Sequence, residues 1–135
     1  MRVLLDTSAY AAFKRGDADV TDRMRRSERV FLSTIVIGEL LYGFRHGSHF
    51  DRNRADLHAF IDRPFVTLLP VTLSTADRFG RVAAQLRARG RPIPTNDCWI
   101  AAHTMESGAE LLSFDGHFAA VDGLAWTRLG AGDSG

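Results

Sequence analysis

The 135-residue sequence predicts an α/β domain in which a mostly parallel central sheet of about five strands is flanked by helices. Three observations carry this. Short apolar runs of strand length recur along the chain, stretches with helical spacing of apolar residues separate them, and Gly, Pro and Ser punctuate the joins. Strands that alternate with helices require crossover connections, and crossovers give parallel pairing.

Taken in order, residues 2–5 (RVLL) form a first buried strand, followed by helices over 7–14 and 18–26. Residues 29–32 (RVFL) form a second strand, followed by helices over 34–46 and 49–62. The third strand is 65–69 (FVTLL), with helices over 75–89 and 96–107 after it. Strands over 110–114 (ELLSF) and 125–129 (AWTRL) complete the sheet. Residues 1–129 are thus one domain, and the tail 130–135 (GAGDSG) has nothing to bury and is expected to be disordered.

Composition narrows the class of protein. A 45% hydrophobic, 24% charged chain of this length has an ordinary globular core. No apolar stretch approaches a membrane span, and the first residues lack a signal-peptide pattern, so a cytoplasmic location without direct membrane association is expected. Cys98, the single cysteine, is expected as a free buried thiol. The net charge of +1 balances 17 basic against 16 acidic groups, and setting four acids aside for a metal site leaves 17 against 12, a surplus of +5. Such a surface suits a phosphate backbone.

Four acids stand out. Asp6 follows the first strand at once and precedes two hydroxyls, Thr7 and Ser8. It reads either as the cap of the next helix or as a metal ligand at a strand end. Asp115, in LLSFDGHF, follows the fourth strand in the same way, and Asp-Gly is also a common turn pair. Glu39 lies inside the apolar stretch STIVIGELLYGF, on a face shared with Ile35, Val36, Tyr42 and Gly43, in a helix expected to be largely buried. A carboxylate there needs a cation, either a distant arginine or a metal. Asp97, in RPIPTNDCWIAAHTM, opens a late helix that Thr95 or Asn96 is expected to cap after Pro92 and Pro94; a first-turn acid also complements the helix dipole.

Each acid alone has an ordinary explanation, but their joint placement asks for a divalent ion. Carboxylate oxygens suit Mg2+ or Mn2+, and four converging negative charges raise one another's pKa unless a cation neutralises them. His46, His49, His58, His103 and His117 match no zinc or triad pattern and are read as surface or core residues, with His103 and His117 nearest in sequence to the acids. Asp122 sits in a turn-like context and is left out of the set. Arg78, Arg81, Arg87, Arg89 and Arg91 lead into the Asp97 segment and form either a track for a phosphate backbone or a solvated helix face.

The segments LLDTSAY, STIVIGELLYG, IPTNDCWIAAHT and LLSFDGHF, in this order and spacing, resemble the PIN-domain family of ribonucleases, in particular the VapC toxins of toxin–antitoxin pairs. The resemblance runs from Arg2 to about Leu129. It implies a single PIN-like domain whose catalytic, metal-binding acids are Asp6, Glu39, Asp97 and Asp115, with Mg2+ or Mn2+ as cofactor. It also implies supporting roles for Thr7, Ser8 and Asn96, cleavage of tRNA or ribosomal RNA, homodimerisation, and inhibition by a cognate VapB-type antitoxin through which alone operator DNA is bound. Asn96 beside Asp97 limits the acidic set to four. Helix 34–46 and the DLHAFI segment after it offer a groove for an antitoxin helix, or simply pack within the domain.

Other classes fit less well. A phosphoacceptor domain wants an early acidic pair and a late lysine, whereas the only lysine is Lys14, and a haloacid-dehalogenase-like phosphatase wants Asp-x-Asp. The alternatives kept are a structure-specific DNA nuclease, which shares the metal chemistry, and a catalytically inactive PIN-like binding module.

Overall fold

The computed structural model describes residues 1–130. Strand β1 (Arg2–Leu5) leads into helices α1 (Thr7–Lys14) and α2 (Ala18–Arg25), and β2 (Arg29–Ser33) into α3 (Thr34–Arg45) and α4 (Phe50–Ile61). Strand β3 (Val66–Leu69) precedes α5 (Leu73–Ala88) and α6 (Thr95–Ser107), and β4 (Glu110–Ser113) precedes a 3-10 turn (Gly116–Ala120) and β5 (Trp126–Arg128). The sheet order is β3-β2-β1-β4-β5, and every pairing is parallel.

Chain order runs outward from β1 to β2 and β3, then returns to β4 and β5 on the other side. The direction of winding therefore reverses between β1 and β4, where open α/β sheets form their ligand crevice. Leu5 pairs with Leu112 in this ladder, so the residues just beyond, Asp6 and Ser113, emerge side by side. Val3, Leu4, Leu5, Leu111 and Leu112 are buried, as a parallel strand covered on both faces requires. Each such leucine contributes roughly 1.5–3 kcal/mol. Helices α1, with Ala9, Tyr10 and Ala12 buried, and α6, with Ile100, Ala101 and Ala102 buried, pack against these strands.

Local sequence differs from expectation at a few ends. Helix α5 begins at Leu73 rather than 75 because Thr72 and Thr75 form a reciprocal capping box. Helix α6 begins at Thr95 after Pro94, with no side-chain cap; Thr95 and Asn96 lie within its first turn, and the Asp97 and Cys98 amides bond the Pro94 carbonyl instead. The Asp115–Gly116 pair opens the 3-10 turn, an element the hydrophobic pattern does not announce. Helix α3 is far less buried than its composition suggests: only Val36 and Leu40 are fully enclosed. One stripe meets the domain, while Gly38, Tyr42 and Gly43 face outward.

Cys98 is a buried free thiol. His103 is a core residue, fully buried between α6 and the sheet. Its Nε2 lies 3.1 Å from the Pro70 carbonyl and its Nδ1 2.8 Å from the Ser33 hydroxyl. A carbonyl only accepts, so Nε2 carries a hydrogen, and the Ser33 oxygen also accepts from the Ile35 amide at 3.0 Å. This clamp ties α6 to the start of α3, the two helices that carry Asp97 and Glu39. Gly130 is the last described residue, so the expected tail lies almost wholly outside the described residues. Among them no helix is long and apolar enough to cross a membrane.

Candidate active site

Asp6 is both cap and site residue. Its extended backbone ends β1, and its Oδ1 accepts from the Ala9 amide at 2.9 Å and the Ser8 hydroxyl at 2.7 Å. Its Oδ2 accepts from the Ser113 hydroxyl, which in turn accepts from the Asp115 amide at 2.9 Å. Only 6% of Asp6 is exposed. Burial pushes its pKa above the ordinary 3.8, against the lowering effect of the Ser113, Ala9 and Ser8 hydrogen bonds, and the Asp115 charge adds to the rise.

Glu39 projects from the half-buried side of α3 toward the start of α1 and α6. Its Oε1 accepts from the Thr7 hydroxyl at 2.5 Å and its Oε2 from the Asn96 amide at 3.2 Å. Both donors are neutral, so the charge of Glu39 is oriented but not cancelled. With Ile35, Gly38, Tyr42 and Asn96 it lines an open recess of about 300 Å³.

Asp97 lies in the first turn of α6 with its side chain 15% exposed. Burial raises its pKa above 3.8; the His117 hydrogen bond and charge lower it, and the Asp115 and Glu39 charges raise it. Asp115 is felt by both Asp6 and Asp97, and Glu39 by Asp97, so the four acids form one electrostatic group. Hard oxygen donors from four elements, two with raised pKa, match the chemistry of a Mg2+ or Mn2+ site. Of the four, Asp97 and Asp115 come close enough to share one ion, their ligand atoms lying within 4.8 Å of each other and of one on His117, whereas Asp6 and Glu39 are not in that group and reach it through charge.

Thr7 and Asn96 therefore brace Glu39, and Ser8 braces Asp6. Two contributors escape a reading of the sequence. Ser113 bridges Asp6 and Asp115; its signal is a hydroxyl ending an otherwise apolar buried strand. His117 is half-exposed, yet its Nδ1 reaches both Asp97 and Asp115. It sits on a turn, where no periodicity marks a face.

The arginine stretch divides. Arg78 lines a recess with Thr104, Met105 and Gly108, at the far end of α6 from Asp97. Arg81 pairs with Asp77 at 3.0 Å, and Arg89 forms a two-pronged pair with Asp122. Arg87 and Arg91 are exposed and form no ion pair among the described residues. In the segment expected to help form an antitoxin groove, Leu57 and Phe60 are buried inside the domain. A groove of about 250 Å³ remains beside them, lined by Tyr10, Leu40 and Phe44 with the Lys14–Asp56 pair at its rim.

A five-stranded parallel sheet with acids gathered at its switch point defines the class: residues 3–124 match the PIN-domain model, and the chain belongs to that family. Within the family it groups with the VapC ribonucleases. It is 30% identical over 115 residues to Ribonuclease VapC2 of Haemophilus influenzae, covering 84% of this chain and 86% of that one. It is 27% identical to the tRNA(fMet)-specific endonuclease VapC of Shigella flexneri, over 80% of this chain and 82% of that one. The structure of VapBC-5, a member of the VapBC family of toxin-antitoxin systems from Mycobacterium tuberculosis, superposes with a TM-score of 0.72 at 26% identity, covering 93% of this chain and 95% of that one.

Proposed function

We propose that this chain is a divalent-metal-dependent endoribonuclease, the toxin of a type II toxin–antitoxin pair, acting in the cytoplasm on tRNA or ribosomal RNA. The observation that carries this reading is the convergence of Asp6, Glu39, Asp97 and Asp115 at the switch point of the sheet, with the Asp115 charge acting on two of the others. Family membership and the tRNA-cutting relative support the substrate class.

The residues divide the work. Asp6, Glu39, Asp97 and Asp115 hold Mg2+ or Mn2+, and Thr7, Ser8, Asn96 and Ser113 fix the orientation of the carboxylates. When bound, the ion supplies activation of water and stabilisation of the charge that develops in phosphodiester hydrolysis. Exposed Arg87 and Arg91 attract the RNA backbone. A cognate VapB-type antitoxin inhibits the enzyme by seating a helix along the groove beside Leu40 and Phe44, and carries the operator-DNA contacts itself. Leu68, Val71 and Leu73 expose apolar surface near the β3 edge that a homodimer would cover.

The test is incubation of the purified, antitoxin-free protein with total RNA and with single-stranded DNA in Mg2+, followed by sequencing of the ends produced. Discrete RNA ends with intact DNA support the reading. Cutting of DNA would favour a structure-specific DNA nuclease, and no cutting of either by folded protein would favour an inactive binding module.

A further inference from the structure

His117 stands outside the acidic set, yet its Nδ1 lies 3.0 Å from Oδ1 of Asp115 and 3.3 Å from Oδ2 of Asp97. These oxygens come from different elements, the start of the 3-10 turn after β4 and the first turn of α6. The ring is held rather than swung there: the His117 amide donates to Asp115 Oδ1 at 2.9 Å, and the next residue, Phe118, is fully buried. One donor atom from each of Asp97, Asp115 and His117 falls within 4.8 Å of the others. Asp6 Oδ1 already accepts two hydrogen bonds and its Oδ2 one, so only Oδ2 is left to face an ion.

Resting on the metal-dependent reading above, we infer that His117 is a nitrogen ligand of the metal site, sharing one ion with Asp97 and Asp115. A ring nitrogen already between the two carboxylates needs little movement to exchange its contact with them for a shared cation. The consequence concerns which ion is used. Mg2+ takes oxygen donors, whereas Mn2+, a first-row transition ion, also accepts nitrogen, so a nitrogen among the ligands biases the site toward Mn2+ over Mg2+. A positioning role, in which His117 only hydrogen-bonds the two acids, would leave this preference unchanged.

The test is pulsed electron paramagnetic resonance of Mn2+ bound to the full chain, with Mn2+ and Mg2+ affinities measured for the wild type and His117→Gln. The expected result is nitrogen-14 modulation of imidazole type in the wild type, absent from His117→Gln, with Mn2+ affinity falling on the order of tenfold and Mg2+ affinity falling less. Bound Mn2+ without that modulation in the wild type overturns the inference while leaving the metal-dependent reading intact, and needs no variant to fold. Failure of Mn2+ and Mg2+ to bind at all overturns both.

Discussion

The Thr7 hydroxyl donates to Oε1 of Glu39 at 2.5 Å, joining the first turn of α1 to the middle of α3 across 32 positions of sequence. This hydrogen bond turns an acid on a half-exposed helix toward the crevice beyond β1. Thr7→Val keeps the shape and removes the donor. The fold should persist with a loss of about 1.5–3 kcal/mol, the range for hydrogen bonds to charged groups. RNA cleavage should fall on the order of tenfold. Thermal unfolding and single-turnover cleavage check the two effects separately.

Asp97 gives the metal-free protein a defined pH response. Its folded pKa is raised above the ordinary 3.8, so its ionisation opposes folding. The stability it permits is fully present below about 3.8 and is lost as pH rises through the raised folded value. Asp97→Asn, nearly isosteric and neutral, should therefore be more stable than the wild type at neutral pH in chelator, with the gap closing below about pH 4. Mn2+ should raise the melting temperature of the wild type and leave the variant nearly unmoved. Melting curves across pH, with metal and with chelator, check both.

Tyr42 is 70% exposed and lines the recess that holds Glu39, where a base from a single-stranded loop can stack. Tyr42→Ala should weaken RNA binding by about 1–3 kcal/mol, whereas Tyr42→Phe keeps the stacking face and should bind nearly as wild type. Fluorescence anisotropy in the Asp97→Asn background, where RNA stays intact, is the measurement.

Arg87 and Arg91 should pair with RNA phosphates, because neither is neutralised by an acid among the described residues. Replacing both with alanine should lower the salt slope of binding by roughly 0.7 for each phosphate that is no longer neutralised. Arg78→Ala, at the other end of α6, should leave the slope unchanged. Binding measured over a range of KCl concentrations distinguishes them.

Much of the fold and of the site is legible in the sequence, for particular reasons. Alternating short apolar runs and helical spacings define the strand order up to its lateral arrangement, and Asp6 and Asp115 stand at strand ends because a buried parallel strand cannot hold a carboxylate in its middle. For Asp6 the two sequence readings, cap and ligand, describe one geometry: a carboxylate that accepts from Ala9 at a strand end also faces the crevice. Glu39 is conspicuous in its apolar helix but less buried than that setting predicts, since hydrophobicity does not say which stripe of α3 meets the core. Ser113 and His117 are marked in the sequence only by position, a hydroxyl ending a buried strand and a histidine two residues past Asp115, because their partners depend on how β1, β4 and α6 converge. The neutralisation of Arg81 by Asp77 follows from four-residue spacing, whereas that of Arg89 by Asp122, 33 positions away, follows only from the fold.

The central claim is that four acids form one metal-dependent hydrolytic centre. Its most direct test is single-turnover cleavage of the mapped RNA target by wild type in Mn2+, by wild type in chelator, and by folded Asp97→Asn in Mn2+. Loss of rate by on the order of a hundredfold or more in both of the latter is predicted. Cleavage that continues unchanged in chelator, or in the Asp97→Asn protein, would contradict it.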